Sequence, residues 1–301
     1  MRHPVAVAAA AFAAVSGAAC AARPAPEPVP GPVTPAPAVG LPPAAPAGPV
    51  AAFTWAPAVR RLQVRTEVEI VRDDAGAGTP TGEAPERVRT VVRLADTVAQ
   101  AAAPGAVRAA GAVEALEVSA SARVQGAGAP PPFTPFRYLA LSDGRGVRAD
   151  PAPGAAVDLR CTAPGGPAAL GALAAVRETL PHVPAGTAPG ARWRDTTVSA
   201  TCAGPVLLVV QTTSQYEAQA GQGGALAVVR RSTSTMRGRG AAGIRPLVVE
   251  GSAAGETRYL LDPARGALAA ASGEGRTTLT VTVAGAAQRF VQRARTEIVT
   301  Q

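Results

Sequence analysis

Arg61-Leu62-Gln63-Val64-Arg65-Thr66-Glu67-Val68-Glu69-Ile70 places an aliphatic residue or a threonine at every second position, with a charged or amide side chain between. Successive side chains of a β-strand point to opposite faces, so a period of two describes a strand with one buried and one wet face. The pattern returns at 87–94, where Val88, Thr90, Val92 and Leu94 alternate with Arg87, Arg89 and Arg93. It returns again where Leu116, Val118, Ala120, Ala122 and Val124 alternate with Glu117, Ser119, Ser121, Arg123 and Gln125. Asp73-Asp74-Ala75-Gly76 and the Gly/Pro-rich residues after it read as the loop joining the first two strands. Further strands are expected at 194–202, 206–219, 226–236, 247–252, 257–262, 277–283 and 290–299, separated by glycine and proline. One helix is expected at 167–180. Pro167 suits its first turn, Leu170, Leu173, Val176 and Leu180 share roughly one face, and Pro181 ends it. The fold class is therefore mainly β: an antiparallel meander forming a half-open barrel or curved sheet with one helix.

The body so described occupies residues 52–301, and what precedes it is of a different kind. Arg2 starts a short positive region, residues 5–15 are all Ala, Val or Phe, and Ser16-Gly17-Ala18-Ala19 leads to Cys20. A charged start, an apolar stretch of about 7–15 residues and small residues at a cleavage zone describe a secretory signal peptide over 1–19. The apolar run falls short of the roughly 20 residues that span a bilayer. Gly17-Ala18-Ala19-Cys20 resembles the lipobox of bacterial lipoproteins, in which the cysteine becomes the acylated N-terminus, although Gly17 stands where an aliphatic residue is usual. Alternatively, Ala19-Cys20-Ala21 is an ordinary small-x-small site and the cysteine is discarded. Lipidation of Cys20 is preferred, because the Pro/Ala-rich stretch that follows, within 20–51, is an extended tether of the kind an anchored domain needs. Ala21 rather than Asp after the cysteine points, by resemblance to Gram-negative sorting, to the outer membrane.

The chain has three cysteines, an odd number that either route for Cys20 resolves. In an oxidising compartment Cys161 and Cys202 are then expected as one disulfide, with two buried free thiols as the alternative. The formal net charge is +8, but all 29 basic residues are Arg, with no Lys and no Asn. Beside abundant Ala, Gly and Pro, this reads as skewed amino-acid usage rather than a basic patch selected for nucleic acid, and no nucleic-acid partner is expected.

Several chemistries lack their residues. His3 leaves with the leader, so His182, in Leu180-Pro181-His182-Val183-Pro184, is the one histidine of the mature chain. Histidine-based metal sites and an H-E-x-x-H protease are excluded. A hydrolytic triad would rest wholly on His182, no G-x-S-x-G elbow supplies its serine, and the residue reads as a surface loop position. Without Lys there is no phosphate-binding P-loop and no Schiff base. Gly238-Arg239-Gly240-Ala241-Ala242-Gly243 matches G-x-G-x-x-G, but Pro246 and the strand-like Leu247-Val248-Val249 follow where a helix should open, so it reads as a hairpin loop. Asp143-Gly144-Arg145-Gly146 lacks the further acids of a calcium loop. The expectation is no catalytic residue, no metal and no cofactor.

Leu180-Pro181-His182-Val183-Pro184 running into Pro189-Gly190-Ala191-Arg192-Trp193 resembles the P-G-x-x-W strand opening of uncharacterised secreted bacterial lipoproteins. Tyr259-Leu260-Leu261-Asp262-Pro263-Ala264-Arg265-Gly266-Ala267-Leu268 resembles their x-D-x-x-x-G-x-L hairpin, a habit also similar to that of periplasmic lipoprotein carriers of the LolA and LppX kind. The resemblance covers about 120 residues and implies an unclosed β-barrel with a helical lid over a greasy cavity. The expected function is a non-enzymatic envelope lipoprotein, attached to the membrane through its N-terminal lipid, binding an acyl chain or other apolar ligand in the concave face of its sheet. The alternative is a scaffold lipoprotein that binds another envelope protein and has no cavity. Inward positions expected to line such a cavity are Leu62, Val64, Val68, Ile70, Val92, Leu116 and Val118, with Trp193 near the start of the strand after the helix. Aromatic residues at 3% argue against a tight pocket, while small Ala and Val side chains fill a wide barrel poorly and leave a lumen.

Overall fold

The computed structural model describes residues 51–73, 85–101, 107–120, 133–142, 146–150 and 157–301. The expected leader, Cys20 and the tether up to residue 50 lie outside these residues, as do Asp74-Ala75-Gly76, positions 121–125 of the third expected strand and Asp143-Gly144-Arg145.

Eleven strands form one antiparallel sheet: β1 (Ala58–Asp73), β2 (Glu86–Gln100), β3 (Val107–Ala120), β4 (Phe136–Leu141), β5 (Arg148–Ala149), β6 (Arg192–Ala203), β7 (Val206–Ala220), β8 (Leu226–Ala242), β9 (Arg245–Asp262), β10 (Ala267–Val283) and β11 (Ala286–Thr300). Among the described residues a single α-helix, α1 (Gly166–Glu178), lies between β5 and β6. The spatial order β5-β4-β3-β2-β1-β11-β10-β9-β8-β7-β6 resolves into two meanders joined where β1 pairs with β11. The first meander runs outward to the β5 edge. The helical segment then crosses to the β6 edge, and the second meander runs back to the centre. Because α1 packs on β6 and also on β2, β3 and β4, the sheet must curl to bring both flanks to it. The result is the curled half-barrel that the alternation predicts. Cys161 and Cys202 are bonded, tying the stretch before α1 to the last turns of β6 across a sequence separation of 41.

Local detail departs from the sequence reading at named places. The expected strands at 247–252 and 257–262 are one, β9, because its glycines admit a neighbour rather than breaking the strand. A Cβ on Gly251 would lie 2.5 Å from the carbonyl oxygen of Thr278 on β10. Gly238 and Gly240 belong to β8, and the hairpin turn is only Gly243-Ile244. In β3 a bulge leaves Glu114 without an opposite residue on β2, since Arg93 faces Ala115 and Leu94 faces Val113. The bulge switches the inward set from Val107, Ala109 and Val113 to Leu116 and Val118, which hides the strand's first half from a strict period-two reading. The helix stops two residues early, where Thr179 turns its hydroxyl back onto the Val176 carbonyl at 2.8 Å.

The outward face is wet. Arg89 pairs with Glu67, Arg93 with Glu117, Arg231 with Glu256 and Arg295 with Glu274, each pair bridging adjacent strands with both side chains largely exposed.

The inward face is layered. At one end Leu62, Val64, Val92 and Leu94 join Ala169, Ala172, Leu173 and Val176 of α1 in a buried apolar cluster. At the other end Val68, Ile70, Val206, Leu208, Val249, Val281 and Phe290 form a second cluster. Between them runs a waist of short side chains whose rows follow the strand register. One row reads Arg230, Thr257, Gly273, Thr296, Thr66, Thr90, Val118.

A buried polar knot holds the helix end to the first meander. Arg60 donates to both carboxylate oxygens of Asp96 at 2.8 and 2.7 Å and to the Thr179 carbonyl at 3.1 Å, while Tyr138 donates to Asp96 at 2.7 Å.

Candidate functional site

A cavity of about 270 Å³ lies at the waist, between the C-terminal turn of α1 and the inner faces of β6, β7 and β8. Its floor follows from register. Asp195 faces Ser214 and Ser214 faces Ser232; one step along, Thr197 faces Thr212 and Thr212 faces Ser234. These residues are inward because they share parity with the buried Val210, Tyr216 and Val228. Thr212 and Ser234 hydroxyls are 2.8 Å apart.

The helix end supplies the charges. A cation in the last helical turn is favoured by the partial negative charge of the free carbonyls, and an anion is disfavoured. Arg177 sits well there, whereas Glu178 needs a partner. Arg230 provides it with two hydrogen bonds, at 3.2 and 2.6 Å, and also donates to the Thr257 hydroxyl at 3.0 Å. Tyr259 donates to the same Glu178 carboxylate at 3.1 Å, and the Arg230 guanidinium stands 5.6 Å over the Tyr259 ring. Burial pushes the Tyr259 phenol well up, the nearby Arg230 charge only opposing it. Arg177 is different: burial draws its pKa down, and its guanidinium makes no hydrogen bond or ion pair among the described residues.

On the opposite wall, His182 Nδ1 lies 3.2 Å from Asp195 Oδ2. The Asp195 side chain is only 6% exposed and that of His182 31%. His182 is thus a half-buried, paired residue and not the free surface position its proline context indicates. Its backbone carbonyl accepts from Trp193 Nε1 at 2.9 Å, which fixes the loop against β6. Trp193 in turn stacks on Tyr216, ring centroids 5.1 Å apart and planes within 3°, and burial pushes the Tyr216 phenol up to about 12. No hydroxyl of the described residues hydrogen-bonds His182.

The residues expected to line a cavity are elsewhere. Leu62, Val64 and Val92 are packed into the cluster under α1, Leu116 lies partly buried against it, and Val68 and Ile70 are in the second cluster. Val118 keeps the expected face but is 38% exposed, because its row holds threonines and a glycine too short to cover it. Trp193 packs against the first cluster and braces the cleft through Tyr216 and His182 without lining it. Sequence reasoning missed Arg177, Glu178, Asp195 and Arg230. The available signal was a pair of charges at a helix end and an acid at an inward position of a strand.

No protein-family model and no curated protein matches the chain. An outer membrane channel from Pseudomonas putida F1 is a solved structure to which the chain is similar at 9% identity, over 85% of this chain and all of that one, with a TM-score of 0.22, a likeness too slight to bear on fold or function.

Proposed function

We propose that this protein is a non-enzymatic binding protein of the cell envelope, held to the membrane by lipid on Cys20, that takes a small polar ligand in the cleft beneath α1. One observation carries the ligand reading. Of the four buried polar atoms that lack a hydrogen-bond partner among the described residues, three belong to residues that line this cleft: Arg177 Nε, Arg230 Nε and Asp195 Oδ1. Each unsatisfied buried group costs about 1–3 kcal/mol, so a ligand that satisfies them is favoured over an acyl chain that would not. The hydroxyls of Thr197, Ser214, Ser232 and Ser234 argue the same way. The test is native mass spectrometry of the full chain purified from its own membrane, with chemical identification of any adduct. A small polar adduct is the expected result. A fatty acid or phospholipid in the cleft restores the apolar carrier, and a ligand-free protein ends the binding reading. Intact mass of the membrane fraction checks the anchor: a soluble mature protein beginning after Cys20 removes it.

The scaffold alternative draws on another observation. On the outer faces of β6 and β7, Val198, Leu207 and Val209 are 64%, 48% and 46% exposed, an apolar exposure beside a sheet edge that a partner protein would cover.

A further inference from the structure

The unpartnered atoms on the residues that line the cleft make opposite demands on whatever fills it. Arg230 uses both terminal nitrogens on Glu178 and Thr257, and Nε is its one buried nitrogen with no partner among the described residues. Arg177 has committed nothing. It is a largely buried cation with no carboxylate of its own, since the adjacent Glu178 is held by Arg230 and Tyr259. A hydrogen bond between a guanidinium and an anionic oxygen is roughly twice as strong as a neutral one. Asp195 asks for the reverse. One oxygen is held by His182, and the other, on a side chain 6% exposed, is an acceptor that requires a donor. The serines and threonines between β6 and β8 both donate and accept, and so match hydroxyl groups.

We propose that the cleft binds a small hydroxylated acid, of the size and chemistry of a sugar acid, with its carboxylate on Arg177 and a hydroxyl donating to Asp195 Oδ1. A neutral sugar leaves Arg177 unpaired, and a simple carboxylate leaves Asp195 Oδ1 unpaired. The cavity of about 270 Å³ lies just under the roughly 300–1,000 Å³ of pockets for drug-sized molecules, which suits a single ring with its substituents. This inference rests on the polar-cleft reading and names its ligand class.

Titration calorimetry on the full chain in detergent, with D-glucuronate, D-glucose and acetate as probes, tests it. Glucuronate is expected to bind at least about tenfold more tightly than either of the others, the minimum for one added charged hydrogen bond. Arg177→Gln is expected to erase the margin over glucose. Asp195→Asn is expected to weaken glucuronate by a similar factor without restoring acetate. Because Arg177 bonds to nothing in the described structure, Arg177→Gln breaks no hydrogen bond or ion pair, and its melting temperature should stay within a few degrees of the parent, which separates lost binding from lost folding. Glucose binding as well as glucuronate, glucuronate binding unchanged in Arg177→Gln, or no heat with any probe would each overturn the acid class. The polar-cleft reading then stands if the co-purified adduct is polar but carries no acid, and falls if there is no adduct.

Discussion

Removing the carboxylate of Asp96 is expected to destabilise the whole first meander. Arg60 and Asp96 have side chains 3% and 0% exposed, so Asp96→Ala strands a guanidinium in the core beside Trp55, whose ring it faces at 5.9 Å. Tyr138, fully buried, loses its acceptor at the same time. Breaking a buried ion pair by deleting one partner costs about 3–5 kcal/mol, whereas replacing the whole group with apolar residues of similar volume is often neutral or stabilising. Asp96→Ala should therefore lose about 3–5 kcal/mol. The triple variant Arg60→Met, Asp96→Leu, Tyr138→Phe should recover most of it, retaining a loss near the roughly 1 kcal/mol of the Arg60 hydrogen bond to the Thr179 carbonyl. Urea unfolding followed by tryptophan fluorescence measures both, with Trp55 as a local reporter. A single-variant loss under about 1 kcal/mol, or a triple variant no more stable than the single, would show that the pair is hydrated rather than buried and refute the reasoning.

Cys161→Ala with Cys202→Ala opens a loop of separation 41 and should lower stability by about 4 kcal/mol in the chain-entropy model, read by denaturant unfolding without reductant; labelling of both thiols in the unreduced parent would refute the bond. Alkali should destabilise the protein: Tyr138, Tyr216 and Tyr259 are all raised by burial, Tyr216 to about 12. Because the folded values lie above the unfolded one, near 10, their contribution is complete below pH about 10 and falls by up to about 1.4 kcal/mol per pH unit per tyrosine above it. Phenol ionisation followed by ultraviolet absorbance should coincide with unfolding, and three tyrosines ionising near pH 10 in the intact fold would contradict this.

Strands β1, β2 and β7 and the helix were legible because each has a local cause, a period of two or a proline at either end of a run of helix formers, while the Cys161–Cys202 pairing was read from the expectation of an oxidising compartment. β4 and β5 were not, since Phe136–Leu141 is short and Arg148–Ala149 carries no pattern. The cleft was hidden for a related reason. In Arg230-Arg231-Ser232-Thr233-Ser234-Thr235 both faces of the strand are polar, so no alternation tells inward from outward. Only pairing with β7, where Tyr216 and Val210 are buried, sets the parity that turns Arg230, Ser232 and Ser234 inside.

By itself the sequence determined the class, an antiparallel meander curved or half closed with one helix, because periodicity is a property of short segments; the Cys161–Cys202 bond was an expectation beside two free thiols, and the fold decided it. The tertiary structure alone decided where the concave face is packed and where it is open. Leu62, Val64 and Val92 become solid core once α1 lies on them. The space is left instead where threonine, serine and glycine rows meet a helix end. Which side chains meet there depends on the register of strands far apart in the chain and on how far the sheet curls, and neither is encoded in any one segment.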